Sequence, residues 1–262
     1  MKIVVPIKQV PEVSEVRMNE ETGTLIRDGV PSIMNPFDEL AVEAAIQLKE
    51  SHGGEVTIIT MGPPQAKDVL LKALAMGGDK AVHLTDAAFA GADTWATAFT
   101  LSEYIKTMDF DLVICGKQAI DGDTAQVGPQ LAELLGVPQI CYVRKIEISE
   151  DEKHITVHRE TDEGYEVVKA ELPVLLTATK GLNEPRLPNI MGIMKAKQKP
   201  FEVVNAETLG TDLQQFGQDG SPTIVRRVYR PEKKKGGIIV DGEDAAAAVK
   251  QLVDFLAKKG AI

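Results

Sequence analysis

The chain is short of cysteine, of basic charge and of long apolar runs, and each shortage excludes something. Its 262 residues include 2 cysteines. Cys115 and Cys141 show no CxxC spacing and no nearby histidine. They read as inert core thiols, so neither a metal centre nor a disulfide framework is expected. No apolar run approaches the roughly 20 residues that a membrane span needs. The opening MKIVVPIKQV reads as a buried strand and lacks the small-residue cleavage site of a secretory leader, so a reduced, cytoplasmic setting is expected. The net charge of -10 argues against nucleic acid as the main partner. The one basic run, Lys233 to Lys235, is followed by Gly-Gly and reads as a solvated linker. His52, His83, His154 and His158 are scattered and read as surface residues. Nucleophile-elbow, zinc-protease, P-loop and dinucleotide-fingerprint motifs are all missing. A chain without its own acid, base or nucleophile suits a bound cofactor that carries the chemistry, or a pure binding module.

What is there is an alternation of apolar runs and amphipathic segments, in a composition 44% hydrophobic. Strands are expected at Ile3 to Ile7, Val56 to Thr60, Ala81 to Leu84 and Leu112 to Cys115. A small hairpin built from Glu15 to Asn19 and Thr24 to Arg27 follows the first strand. Asn35, Pro36 and Asp38 read as a capping box opening a helix that ends at His52-Gly53-Gly54. Further helices are expected over Val69 to Met76 and from an Asp93 cap to about Met108. This order implies an α/β fold, a parallel sheet with helices on both faces. After Pro138 the pattern changes. Ile140 to Ile148, His154 to Arg159, Glu166 to Val168 and Val174 to Thr177 suggest an antiparallel edge. Gly181 to Lys199 is polar and without period. Residues 1–204 are expected to form the α/β domain and 205–262 a C-terminal arm. The arm carries a short helix near Ala206, a strand from Thr223 to Arg230 and a last helix from Gly242 to Lys259, capped by Asp241 and Asp244.

The segment LVICGKQAIDGDTAQVGPQLAELL, Leu112 to Leu135, reads as strand, polar loop and helix. In open α/β sheets that arrangement holds nucleotide phosphates, because the first N–H groups of the helix are unpaired and partly positive. Gly122 would allow close backbone approach, and Thr124 and Gln126 add side-chain donors. Asp121 and Asp123 either cap backbone N–H groups or accept from a ribose hydroxyl or adenine amine. Ligands sit beyond the carboxyl ends of the strands. Pro6, Asn35 to Asp38 and Met61-Gly62 should therefore converge on Gly116 to Gly128.

Val157 to Thr177, VHRETDEGYEVVKAELPVLLT, resembles the signature of electron-transfer flavoprotein beta (small) subunits. Arg159, the acidic pair before Gly164, then Glu166, Val168, Pro173 and Leu175 to Thr177 follow that pattern. NPFDELAVEAA from Asn35, LAMGGD from Leu74, GKQAIDGD from Gly116, and LNEP, LPNIM and KAK between Leu182 and Lys197 extend the resemblance along the chain. It implies an adenine nucleotide alpha hydrolase-like fold, a larger alpha subunit as partner, and a role as electron carrier, with oxidoreductase activity only inside a complex. Nucleotide contacts carry over to Pro6, Asn35, Pro36, Phe37, Asp38, Met61, Gly116, Lys117, Gln118, Ala119, Ile120, Asp121, Gly122, Asp123, Thr124, Ala125, Gln126 and Val127. The ligand would be FAD in bifurcating members that use NADH, or structural AMP in simple carriers. Thr124 to Val127 with Gly128-Pro129 looks like the FAD-holding members. The resemblance also implies a docking loop for acyl-CoA dehydrogenases on Leu187, Pro188, Asn189, Ile190 and Met191. An exposed apolar group on a mobile loop can serve as such an anchor. Glu166 would help to position the moving flavin domain. Ferredoxin or flavodoxin would be the further acceptor in a bifurcating complex. A nucleotide-binding regulatory module of universal-stress type, with no redox role, is the rival from a different class.

Overall fold

The computed structural model describes residues 1–12, 17–18, 25–26, 31–226, 239, 242 and 244–262. They fall into two compact units, Met1–Arg226 and Arg227–Ile262.

The first unit is built on a nine-stranded sheet. Its strands are β1 (Lys2–Pro6), β2 (Glu55–Met61), β3 (Lys80–Leu84), β4 (Leu112–Gly116), β5 (Gln139–Ile148), β6 (His154–Thr161), β7 (Gly164–Glu171), β8 (Val174–Ala178) and β9 (Phe201–Val204). The order across the sheet is β7-β6-β5-β8-β4-β1-β2-β3-β9. From β5 to β9 all pairings are parallel, and β6 and β7 add an antiparallel edge. Two expectations need correction here. Val174–Ala178 is not part of the antiparallel edge; it pairs in parallel with both β4 and β5. Phe201–Val204, unread in the sequence, closes the other end of the sheet beside β3. Strand β3 is therefore interior, and His83 is buried, not a surface residue.

Four main helices cover the sheet: α1 (Pro36–His52), α2 (Lys67–Met76), α3 (Thr94–Ile105) and α4 (Val127–Leu135). Strand residues alternate between two cores, as the pleat requires. Ile3, Val5, Ile58, Ile114 and Leu176 pack with α1 and α2. Val4, Ile59, Val113, Cys115 and Leu175 pack with α3 and α4. Cys115 is thus a core thiol as expected, whereas Cys141 is half-buried.

The polar stretch 181–199 is not a free loop. Asn189 caps a short helix α5 (Ile190–Ala196), accepting from the Gly192 N–H at 2.7 Å. A further helix α6 (Ala206–Leu209) and Phe216 close over the second core, so the first unit runs past the expected boundary at residue 204. Phe216 sits edge-on to Phe89 at 5.2 Å. The expected strand from Thr223 is absent over 223–226, and its remainder lies outside the described residues. Arg17–Met18 pairs with Leu25–Ile26, while the turn of that hairpin lies outside them.

In the second unit, α7 (Ala245–Lys258) starts at Asp244, whose carboxylate accepts from Ala246 and Ala247 N–H. Residue 241 lies outside the described residues. Val249, Leu252, Val253 and Phe255 are all exposed. Among the described residues no helix is long and apolar enough to cross a membrane.

Candidate functional site

The order in which strands are added to the sheet reverses between the parallel neighbours β1 and β4. From β1 the chain steps through α1 to β2 and through α2 to β3, whereas β4 lies on the other side of β1 and leads through α4 to β5. A crevice opens at such a switch point, outside the carboxyl ends of the two strands. Pro6 ends β1 and Gly116 ends β4, so both border this crevice.

Asn35 and Asp38 build its floor, in a way the sequence did not suggest. Asn35 precedes α1, but its side chain makes no cap hydrogen bond, so the capping box does not form. The Asn35 amide instead donates to the Gln118 carbonyl at 2.8 Å, and its Oδ1 accepts from the Ile120 N–H at 3.2 Å. Asn35 is buried, and these bonds fix the loop after β4 from a distance of more than 80 residues in sequence. Asp38 accepts from the Lys8 backbone N–H at 2.7 Å. Burial is the largest influence on its carboxyl and pushes the pKa up to about 7, against hydrogen bonds from Asn35 and Lys8 that favour the charged form. A Cβ on Gly116 would lie 2.2 Å from Asp38 Oδ1, so only glycine lets strand and helix start approach this closely.

The loop itself is internally bonded. Lys8 Nζ meets both Asp121 oxygens at 2.8 and 2.9 Å. Gln118 Nε2 donates to Asp123. Gln126 Oε1 accepts from the Thr94 hydroxyl at 3.1 Å, tying the loop to the start of α3. Asp121 and Asp123 therefore neither cap nor start α4, whose N-cap is Gln126. Gly122 is not the position where backbone freedom is needed. Asp123 and Ala125, at φ 53 and 55, adopt the left-handed conformation that favours glycine. Left-handed residues ahead of a helix N-terminus turn N–H groups into an anion-binding concavity. A concavity of this kind suits an anionic group; Lys8 is tied to the loop through Asp121, and Lys117 is the loop's second residue.

The structure brings together Pro6, Asn35, Phe37, Asp38 and the loop from Gly116 to Val127. Met61 ends β2, the next strand along. His83 Nε2 lies 3.1 Å from the Gly62 carbonyl and braces the turn that follows; burial lowers its pKa. Lys8 was missed in the sequence, although a charged residue directly after a buried strand is its signal. Glu166 sits elsewhere, on the exposed antiparallel edge, 3.4 Å from Arg159 across the β6–β7 pair.

The predicted docking residues form a separate region. Leu187 is 88% exposed, and Ile190, Met191, Ile193 and Met194 extend the apolar ridge. Arg186, directly before it, is bonded to α1. Its guanidinium binds buried Glu43 at 2.8 and 3.0 Å and Glu50 at 2.6 and 2.9 Å, and its backbone N–H donates to Glu43 at 3.1 Å. Burial works against the charge of Glu43, but these bonds outweigh it and hold the carboxyl below its usual range.

The family model described as "Electron transfer flavoprotein domain" matches residues 22–209. The chain belongs to the electron transfer flavoprotein family. It is 51% identical to the electron transfer flavoprotein subunit beta of Thermoanaerobacterium thermosaccharolyticum, covering 98% of both chains. Identity to the subunit beta of Megasphaera elsdenii is 47%, again over 98% of each. The subunit CarD of the caffeyl-CoA reductase-Etf complex of Acetobacterium woodii is 49% identical over 99% of each chain. Electron transfer as a beta-type subunit is the function this membership gives, and it removes the regulatory-module rival.

Proposed function

We propose that the chain is the small subunit of a heterodimeric electron transfer flavoprotein and binds an adenine nucleotide, FAD, between β1 and β4. The observation that carries this reading is the loop from Gly116 to Gln126. It ends at a helix N-terminus, holds two left-handed residues and is fixed from below by Asn35. When bound, FAD would supply the electron chemistry that no side chain of the site offers. Within that assembly NAD(H) is the electron donor and flavin-based bifurcation the mode of transfer. Ferredoxin or flavodoxin is the second acceptor. The apolar ridge at Leu187 to Met191 serves an acyl-CoA dehydrogenase, in keeping with the CoA-linked reductase named in the complex of the Acetobacterium relative. The alpha subunit takes the exposed apolar stripe of α7, and Glu166 helps to position the moving flavin domain.

A second reading, structural AMP in the same site, is favoured by one observation. The loop after β4 and the Asn35–Asp38 floor are already bonded to one another and to Lys8, a closed polar set that suits a mononucleotide. Isolating the protein with its co-purifying subunit and counting released cofactors separates the two. Two FAD per heterodimer support the proposal; one FAD with one AMP establishes the second reading.

A further inference from the structure

Asp93 makes more bonds than its place at the start of α3 requires. One carboxylate oxygen accepts from the Ala96 N–H at 3.0 Å, which completes the helix cap. The other oxygen reaches a distant segment: it accepts from the Thr223 N–H at 3.0 Å and from the Thr223 hydroxyl at 2.7 Å, across 130 residues of sequence. The Asp93 backbone N–H donates to the Ser221 hydroxyl at 2.8 Å, and that hydroxyl donates to the Gly217 carbonyl at 2.6 Å. Burial works against the Asp93 charge, but the bonds outweigh it and hold the carboxyl below its usual range.

The clasp lies just beyond the last packed residues of the first unit. Phe216 is buried against Phe89 and Phe99, at 5.2 and 5.8 Å between ring centres. Gly217, at φ 55, crosses so close to the Ala88 carbonyl that a Cβ would lie 2.1 Å from its oxygen. Between 218 and 226 no residue is buried. Packing of the core is thus finished at Gly217, and the bonds of Ser221 and Thr223 bury no further apolar side chain. What they do is fix the course of the chain. Directly after Thr223 come exposed Ile224 and Val225, and the first unit ends at Arg226.

We propose that Asp93 is a positioning residue for subunit assembly: through Ser221 and Thr223 it sets the point from which residues 227–262 are presented to the larger subunit. This inference rests on the reading that the exposed apolar stripe of α7 serves that subunit, and it adds what aims the tether. A tethered segment binds at an effective concentration set by the length and direction of its tether. With the clasp closed the chain is fixed as far as Thr223; with it open, only as far as Gly217.

The test uses the full-length protein and its co-purifying larger subunit, separated and recombined, with association followed by binding kinetics. Asp93→Asn keeps an oxygen for the Ala96 N–H, so the helix cap survives, but sets an amide donor against the donors of Thr223. It is expected to speed hydrogen exchange at the Thr223 N–H at least about tenfold and to raise the Kd for the larger subunit about fivefold. Thr223→Ser, which keeps every bond of the clasp, should associate as the unaltered protein does. Leu252→Asp, on the exposed stripe of α7, should raise the same Kd more than about tenfold. Unchanged exchange in Asp93→Asn, or faster exchange with an unchanged Kd, would overturn the clasp. An unchanged Kd in Leu252→Asp would overturn the reading of α7 itself.

Discussion

The crevice between β1 and β4 and the ridge from Leu187 to Met194 are both surface features on a rigid frame, yet they are built in opposite ways. In the crevice, polar groups are buried or bonded to one another: Asn35 to the loop, Asp38 to Lys8, Lys8 to Asp121. On the ridge, apolar groups are exposed, and the polar groups beneath them are spent on anchoring through Arg186, Glu43 and Glu50. A preorganised polar concavity suits a small charged ligand. A pinned apolar projection suits a protein partner with a complementary pocket. Two sites built so differently are separable, and mutations should separate them.

The largest effect on stability is expected at the ridge anchor. Arg186→Ala leaves Glu43 buried without its cation, which should cost about 2–3 kcal/mol once the partial exposure of the pair is discounted. Denaturant unfolding measures this, and nucleotide content of the surviving folded protein should stay unchanged. Loss of nucleotide would mean that the two regions are coupled. Next comes the crevice floor. Asn35→Ala orphans the Gln118 carbonyl and the Ile120 N–H, at a cost of about 1–2 kcal/mol, and should also weaken nucleotide binding. Full retention of binding would show that the grip of Asn35 on the loop is irrelevant to the ligand.

Titration sharpens the comparison further. Asp38 has a folded pKa of about 7 against an ordinary value near 4, so the folded chain binds the extra proton. Its contribution is fully stabilising below about pH 4 and is lost as pH rises to about 7, at no more than ~1.4 kcal/mol per pH unit. The ridge anchor has the opposite sign. Glu43 is held below its usual range, so its contribution is present above about pH 4.5 and lost as pH falls through the lowered value. Unfolding free energies at several pH values should show Asp38→Asn flattening the change between pH 4 and 7 and leaving the acid limb intact. An unaltered slope in Asp38→Asn would contradict the burial argument. The smallest effect on stability is expected at Leu187. Leu187→Ala should change it by less than about 0.5 kcal/mol and leave flavin content unchanged, while slowing electron delivery to the dehydrogenase. Unchanged delivery would remove the docking role.

The sequence was most legible where a feature is local. The apolar runs of β1 to β4 sit within a residue or two of their expected places, and α1 runs from Pro36 to His52 as its Pro and Gly signals suggested. It was least legible where distant segments decide. β9 is four residues, Phe-Glu-Val-Val, too short to show a period, and only its pairing with β3 makes it a strand. Asn35 has the local chemistry of a cap, but a loop more than 80 residues away captures its side chain. β8 follows two edge strands in sequence yet inserts between β5 and β4, a choice of partner that periodicity does not encode. At the candidate site, the strand-loop-helix pattern was local and readable, whereas the bonds of Lys8, Asp121 and Asp123 required the folded partners.

The most direct test of the account is a crystal structure of the full-length protein with its co-purifying subunit and bound FAD. The FAD phosphates are expected to accept from backbone N–H groups between Gln118 and Val127, at the mouth of the crevice between β1 and β4. An FAD bound away from this loop, for example in the cavity of about 440 Å³ between α1 and β5 lined by Gln47, His52, Lys145 and Asn183, would contradict it.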